Sequence, residues 1–218
     1  MSDTAFEHSG LLHTLCSGNR VTLTTCRRSD VELFAFYSSI IAGGSRYELT
    51  LPELVRQAKA TFTSGSGARF NLVISHQRRL RINRELNQQE APPGAVRLEV
   101  TGKASQGNGA QTMLLFPGLQ LLGSVSAEKK GVRNGCLYTV AAVGDGKVSL
   151  VGLEAVFTYD QVKLWLRLSQ AQTYASCQGC EFDGGVVLWD VAHRFFTKRH
   201  LFVGLSRAKF AAAVGVKD

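Results

Sequence analysis

Two hydrophobic periods alternate along the chain. Short continuous apolar runs, Phe70–Ile74 and Val186–Trp189, have the length and composition of buried strands. Around them lie segments whose apolar residues recur at helical spacing. Phe6 to Leu15 predicts a helix stopping near Gly18-Asn19, and Val21-Thr22-Leu23-Thr24 a short β-branched strand. Ser29 or Asp30 can cap a helix carrying Val31, Phe34, Ala35 and Ile41, which Gly43-Gly44-Ser45 breaks. Thr50 can cap another through Leu54 and Ala58, with Pro52 tolerated in its first turn. After Phe70–Ile74 the pattern predicts a basic helix from His76 to about Asn87. Leu80, Ile82 and Leu86 are its apolar positions, surrounded by Arg78, Arg79, Arg81 and Arg84. Lys198–Lys209 predicts a helix and Ala211–Val216 a last strand. Strand, turn and helix in this order predict an α/β domain with a parallel sheet.

The middle of the chain breaks that rhythm. Ala91 to Gly109 is rich in proline, glycine and polar residues and reads as a linker. Leu119–Val125, Leu137–Val143 and Val148–Leu153 are short apolar runs separated by glycine, with hairpin signals at Asn134-Gly135 and Asp145-Gly146. This predicts a small antiparallel β-barrel at residues 111–168, inserted into an α/β domain made of residues 1–110 and 169–218. Tyr159–Leu168 reads as a helix leading back out.

Composition adds a charge and a redox argument. Lysine and arginine total 25 against 17 aspartates and glutamates, and the net +8 suits a polyanionic partner such as nucleic acid. No apolar run reaches the 18 or so residues a membrane span needs, so no membrane partner is expected. Met1 to His13 lacks the basic start and apolar stretch of a signal peptide. With five cysteines, an odd number, this points to reduced thiols and an intracellular location. Cys177 and Cys180 form a lone CxxC. A redox pair or half a zinc site would use that spacing, but no second ligand pair is evident and the spacer is Gln178-Gly179, so no metal is expected.

Three strings carry the candidate chemistry. They are Thr173-Tyr174-Ala175-Ser176-Cys177-Gln178-Gly179-Cys180-Glu181-Phe182-Asp183, then Leu201-Phe202-Val203-Gly204-Leu205-Ser206-Arg207-Ala208-Lys209, and, near the start, Leu23-Thr24-Thr25-Cys26-Arg27-Arg28-Ser29-Asp30. In this arrangement they resemble the C-terminal motifs of superfamily-one DNA helicases of the UvrD and RecD type, especially those of large DNA viruses and their cellular relatives. The first looks like motif V, commonly T-x-H-x-x-Q-G, the second like motif VI, Y-V-A-x-[ST]-R-A, and the third like the motif IV arginine. Ile74 to Asn83 also fits a recurring strand-to-helix junction. The usual histidine of motif V is Ala175 here, and Ser176 and Cys177 also depart from the pattern.

The resemblance implies a RecA-like parallel sheet flanked by helices. It implies Arg207, on the helix Lys198–Lys209, as a catalytic arginine finger. A planar guanidinium there meets the charge that develops on a transferred phosphoryl group. Arg28 (or Arg27, one position away), Gln178, Gly179 and Glu181 are the implied nucleotide contacts. Thr173, Ser176, His76 and Arg78 are the implied contacts to single-stranded DNA. Each arginine has a plainer alternative as a solvated surface charge, and Trp165 and Trp189 suit core packing as well as base stacking.

No G-x-x-x-x-G-K-[ST] string occurs, Gly144-Asp145-Gly146-Lys147 being followed by valine, and no apolar strand ends in Asp-Glu. The resemblance therefore implies ATP and Mg2+ shared with an N-terminal RecA-like domain supplied in cis or in trans, and no activity from this half alone. The implied location is intracellular, with the nucleus or a viral replication site compatible. The competing class is a non-catalytic nucleic-acid-binding or interaction protein that kept the fold and lost the motor.

Overall fold

The computed structural model describes residues 10–19, 26–41, 43–64, 69–100, 110–127 and 130–218. The expected strand at Val21–Thr24 and the first residues of the expected N-terminal helix lie outside these. Helix α1 (Gly10–Leu15) ends where Ser17 and Gly18 take positive φ and the Gly18 N–H donates to His13 O at 2.9 Å. Helix α2 (Val31–Ser38) is capped by Asp30, whose carboxylate accepts from the Leu33 N–H at 2.8 Å. It stops short of Ile41, because the Ser38 and Ser39 hydroxyls turn back onto the carbonyls of Phe34 and Phe36. Gly44 then passes so near Ser39 that a Cβ would lie 2.4 Å from its carbonyl oxygen, so only glycine fits the break. Helix α3 (Leu51–Thr61) opens with a Thr50–Glu53 capping box and Pro52 in its first turn.

The parallel sheet is built from β1 (Phe70–Val73), β9 (Ala171–Thr173), β10 (Val186–Leu188) and β11 (Val214–Val216), in the order β11-β10-β1-β9. All four residues of β1 are buried, as a central strand requires. Its one polar residue, Asn71, donates to Gln170 O at 3.0 Å and accepts from the Trp189 indole at 2.8 Å. Phe70 and Leu72 face a core shared with α2, α3 and α6 (Lys198–Leu205), while Val73 faces α4 (His76–Glu90) together with Ile82 and Ala171. Helices therefore cover both faces of the sheet.

Between α4 and β9 lies the antiparallel part. Strand β2 (Val96–Leu98) pairs with β3 (Met113–Leu115), so the segment read as a linker contains a strand. A five-stranded sheet follows in the order β7-β6-β5-β4-β8, from β4 (Gln120–Gly123), β5 (Leu137–Gly144), β6 (Lys147–Leu150), β7 (Val156–Thr158) and β8 (Leu166–Leu168). It carries its own core, from Leu98 to Leu168, and β7 and β8 form its two edges. Asp145 and Gly146, both at positive φ, make the expected tight turn between β5 and β6. Asn134-Gly135 instead ends a longer connection between β4 and β5. The run read as one helix, Tyr159–Leu168, divides into α5 (Tyr159–Trp165) and β8.

Two further expectations change. Arg79 on α4 is 2% exposed, not part of an outer basic face, and burial, with Arg167 nearby, pushes its guanidinium down to about 10. Helix α6 ends at Leu205, four residues earlier than expected, and Ala211–Ala213 form a 3-10 turn before β11. Helix α6 packs tightly on β10: a Cβ at Gly204 would lie 2.7 Å from Leu188 Cδ2 and 3.0 Å from Tyr174 Cε1, both in buried side chains. Gly204→Ala is expected to destabilise the fold by about 1–3 kcal/mol despite its better helix propensity, a loss that urea unfolding measures. An unchanged or higher midpoint would show that the contact gives way.

Candidate functional site

The three strings meet at one end of the parallel sheet, where β10 and β11 begin. Main-chain bonds fasten them. The Phe182 N–H donates to Arg207 O at 2.9 Å, and the Asp30 N–H donates to Lys209 O at 2.8 Å. Ser29 Oγ donates to Ala208 O at 2.9 Å, and Asp30 Oδ2 accepts from the Ala211 N–H at 2.7 Å. Asp30 thus caps α2 with one oxygen and clamps the chain beyond α6 with the other. Phe182 stacks on Phe70, ring centroids 4.5 Å apart, and anchors the loop to the start of β1.

Arg207 lies just beyond α6, past the Ser206 cap, and not on the helix as expected. Its guanidinium is half-buried and donates to Cys180 O at 3.2 Å and Ser206 Oγ at 3.1 Å. Its Nε–H is buried without an acceptor, and no carboxylate pairs with it among the described residues. Arg28 belongs to the same fastened cluster, 3.5 Å from Glu181, and Lys209 reaches the same carboxylate at 3.4 Å and Asp183 at 3.4 Å. The Arg28 and Glu181 side chains are 42% and 45% exposed, so that pair contributes about 0–1 kcal/mol and exchanges partners readily. Next to Arg28, the Tyr37 hydroxyl lies 3.3 Å from Cys26 Sγ and lowers the thiol's pKa.

The Gln178-Gly179 pair is an exposed turn, closed by the Cys180 N–H on Cys177 O at 3.0 Å with Gly179 at φ +88°. Glycine is required there by the left-handed backbone. The CxxC cysteines are free thiols that face different surroundings: Cys177 is fully buried and donates toward Tyr174 O, while Cys180 lies half-buried beside Gly135 O. Burial raises both, Cys177 to about 12. No cluster suited to a metal ion occurs among the described residues.

Thr173, Ser176, His76 and Arg78 gather at the opposite end of the sheet, where β1 and β9 finish. Val73 and Thr173 are register partners, and the Tyr174 N–H donates to Val73 O. Thr173 and Ser176 bond one another reciprocally through hydroxyl and main chain at 3.1–3.2 Å, forming a compact turn. His76 is exposed at the start of α4, which Ser75 caps. Arg78 is ion-paired to Asp190 and lies over the Trp189 ring at 5.1 Å, with Lys217 on the same indole at 5.4 Å. Asp190, at φ +64°, also accepts from the Ile74 N–H at 2.8 Å. Trp165 packs edge-on against Phe157 in the antiparallel core. The sequence reading missed Lys209 and Asp190 as charge partners and the second role of Asp30. Nothing local marks them, since the Asp30–Ala211 bond spans 181 residues.

No protein-family model and no curated protein sequence matches this chain. Among solved structures it is similar in fold to Pif1 helicases. One from Candida albicans has TM-score 0.61 and 17% identity, over 91% of this chain and 56% of the other. A Bacteroides Pif1 helicase, in complex with ADP-AlF3 and ssDNA, has TM-score 0.60 and 17% identity over 90% and 51%. A Pif1 helicase from a study of two such helicases coordinating at forked dsDNA has TM-score 0.60 and 16% identity over 88% and 48%. The chain spans about half the length of these proteins. At this identity the likeness establishes a helicase-like fold.

Two outcomes follow from the cluster. Asp30→Ala removes a helix cap and the clamp on Ala211, and is expected to cost about 1–3 kcal/mol in thermal or urea unfolding. A loss below that range would mean water replaces both bonds. At pH 8 the exposed Cys136 should be alkylated by iodoacetamide while Cys177 reacts only on unfolding, because a thiol raised to about 12 is protonated there. Peptide mapping checks this, and early labelling of Cys177 would contradict the burial.

Proposed function

We propose that this chain is the C-terminal, RecA-like motor domain of an ATP-dependent DNA helicase, with the antiparallel segment between α4 and β9, which includes β2 as well as residues 111–168, as an insertion. It works with an N-terminal RecA-like domain, in cis or in trans, that supplies the phosphate loop and magnesium site. The observation that carries the reading is the gathering of Arg207, Arg28 and Glu181 at one edge by segments nearly the whole chain apart. The fold likeness to Pif1 helicases supports it.

The residues present suit a polyphosphate. Arg207 has a buried Nε–H without an acceptor and no carboxylate partner among the described residues, and Arg28 is held only by an exposed, exchangeable ion pair. ATP supplies the phosphoanhydride bond, whose cleavage leaves negative charge on the outer phosphoryl oxygens. Arg207 serves as the finger, turning from Cys180 O and Ser206 Oγ to that charge. An arginine brought in from a neighbouring domain contributes about 10³ to 10⁵ in rate. Arg28 gives a second guanidinium from the same side, which frees Glu181 to accept hydrogen bonds from sugar hydroxyls. The Gln178-Gly179 turn allows close backbone approach.

Single-stranded DNA crosses the other end. Thr173, Ser176, His76 and Arg78 hold its phosphates without reading sequence. Arg78 makes this contact while braced by Asp190 and Trp189. The Thr173–Asp183 segment runs from the strand-contact end to the nucleotide end, so a shift at one is felt at the other.

The competing reading is a nucleic-acid-binding protein without a motor. The lack of any phosphate-loop string in the 218 residues favours it. The two are separated by completing the motor with a phosphate-loop domain and measuring DNA-stimulated ATP hydrolysis. Arg207→Ala is expected to lower kcat by about 10³ or more with ATP binding largely kept. An unchanged kcat would rule out the finger, and the absence of any hydrolysis would favour the second reading.

A further inference from the structure

Beyond β10 the chain leaves the sheet as a short loop, Val191–Phe196, that faces the start of α3 across a cleft of about 710 Å³. The cleft floor is apolar, formed by Leu51, Pro52, Val55, Val191 and Phe196. Its rim is basic, with Arg56, Lys59, His193 and Arg194, against one carboxylate, Asp218, which pairs with Lys59 at 2.7 Å.

Two exposed aromatic rings belong to the segments that form this cleft without lining it, Phe195 between the lining residues Arg194 and Phe196 and Tyr47 four residues ahead of Leu51, and each carries a cation. Phe195, 59% exposed, lies under the Arg194 guanidinium at 4.6 Å and beside the His193 ring at 5.5 Å. Tyr47, 46% exposed, lies under Lys198 at 5.8 Å, and the Lys198 ammonium also donates to Tyr47 O at 2.7 Å. Among the described residues the other large exposed apolar side chains are Phe210 and aliphatic ones. Rings paired with cations in the segments beside an apolar slot match the chemistry of a single-stranded nucleic acid, with a flat base at every step and a phosphate between.

The loop is also held firmly enough to present a ring. It starts at Asp190, fixed by Ile74 N–H and Arg78, and the His193 N–H donates to Asp190 O at 2.9 Å. The Phe195 N–H donates to His193 Nδ1 at 3.2 Å. Phe196, next in sequence, is buried against Tyr174 with ring centroids 5.5 Å apart. Tyr174 directly follows Thr173, so this cleft continues the end of the sheet where the proposed strand contacts lie.

We infer that the cleft between the start of α3 and the Val191–Phe196 loop is a further binding site for single-stranded nucleic acid, with a base stacking on Phe195. Arg194, Arg56 and Lys198 meet the neighbouring phosphates. The inference rests on the proposed strand contact at the Thr173 end and extends it by a site that grips bases as well as backbone.

Fluorescence-anisotropy titrations of the full chain test it, with a labelled oligothymidylate and an abasic oligomer of equal length as probes. Phe195→Ala should weaken binding to oligothymidylate at least about fivefold and leave the abasic oligomer unchanged, and Phe195→Tyr should restore the loss. Arg194→Ala should weaken both probes and flatten the dependence on salt. Because Phe195 is exposed, its replacement leaves the core intact. If the wild-type chain binds oligothymidylate and Phe195→Ala binds it equally well, this site is overturned while the strand contact at Thr173 stands. If the wild-type chain binds neither oligomer at low salt, both fail.

Discussion

Cations gathered at one edge of a protein repel one another, and something must hold them there. Here the restraint is a set of main-chain and side-chain bonds among the stretches around Ser29, Phe182 and Ala208. Each bond contributes only about 0.5–1.5 kcal/mol net. Acting together, and backed by buried Phe182, Leu201 and Leu205, they fix the backbone from which Arg28, Arg207 and Lys209 project. Glu181 and Asp183 offset part of the charge from the exposed side.

The two ends of the parallel sheet have different chemistry. Guanidiniums with replaceable partners mark the end where β10 and β11 start. A closed hydroxyl turn, a braced arginine and exposed rings mark the end where β1 and β9 finish. The Thr173–Asp183 segment joins them along the face covered by α6, with Tyr174, Cys177 and Phe182 buried as it passes. On the proposed reading, that packed path is how nucleotide state and strand contact stay in register. The close approach at Gly204 keeps α6, Tyr174 and Leu188 from sliding independently.

Much of the fold was legible where local rules decide. The apolar runs at Phe70 and Val186, the helix start at Thr50 and the turn at Asp145-Gly146 each follow from neighbouring residues. Strand β9 was not legible. Ala171-Gln172-Thr173 has no β-branched alternation and becomes a strand only by pairing with β1, about a hundred residues away. Arg79 was misplaced because its charge suggests solvent, whereas tertiary packing buries it. The early end of α6 was missed because the stretch stays helix-compatible in sequence, and Ser206 turns its hydroxyl back to Val203 O. At the candidate site the residue types were legible and their adjacency was not. The bonds that unite them cross most of the chain, and no periodicity encodes such a distance.

The antiparallel segment lies between two strands that are neighbours in the sheet, since β1 pairs directly with β9. An unstructured tether of that length would make the pairing slow, with an entropic cost that grows with the logarithm of the tether length. The segment has an apolar core of its own, and α4 touches β3 through Asn87, which both donates to and accepts from Leu114. A collapsed insert brings its two exits nearer each other than a random chain of the same length would. Collapse of the insert onto its own core before the sheet closes would lower that entropic cost and speed the pairing of β9 with β1.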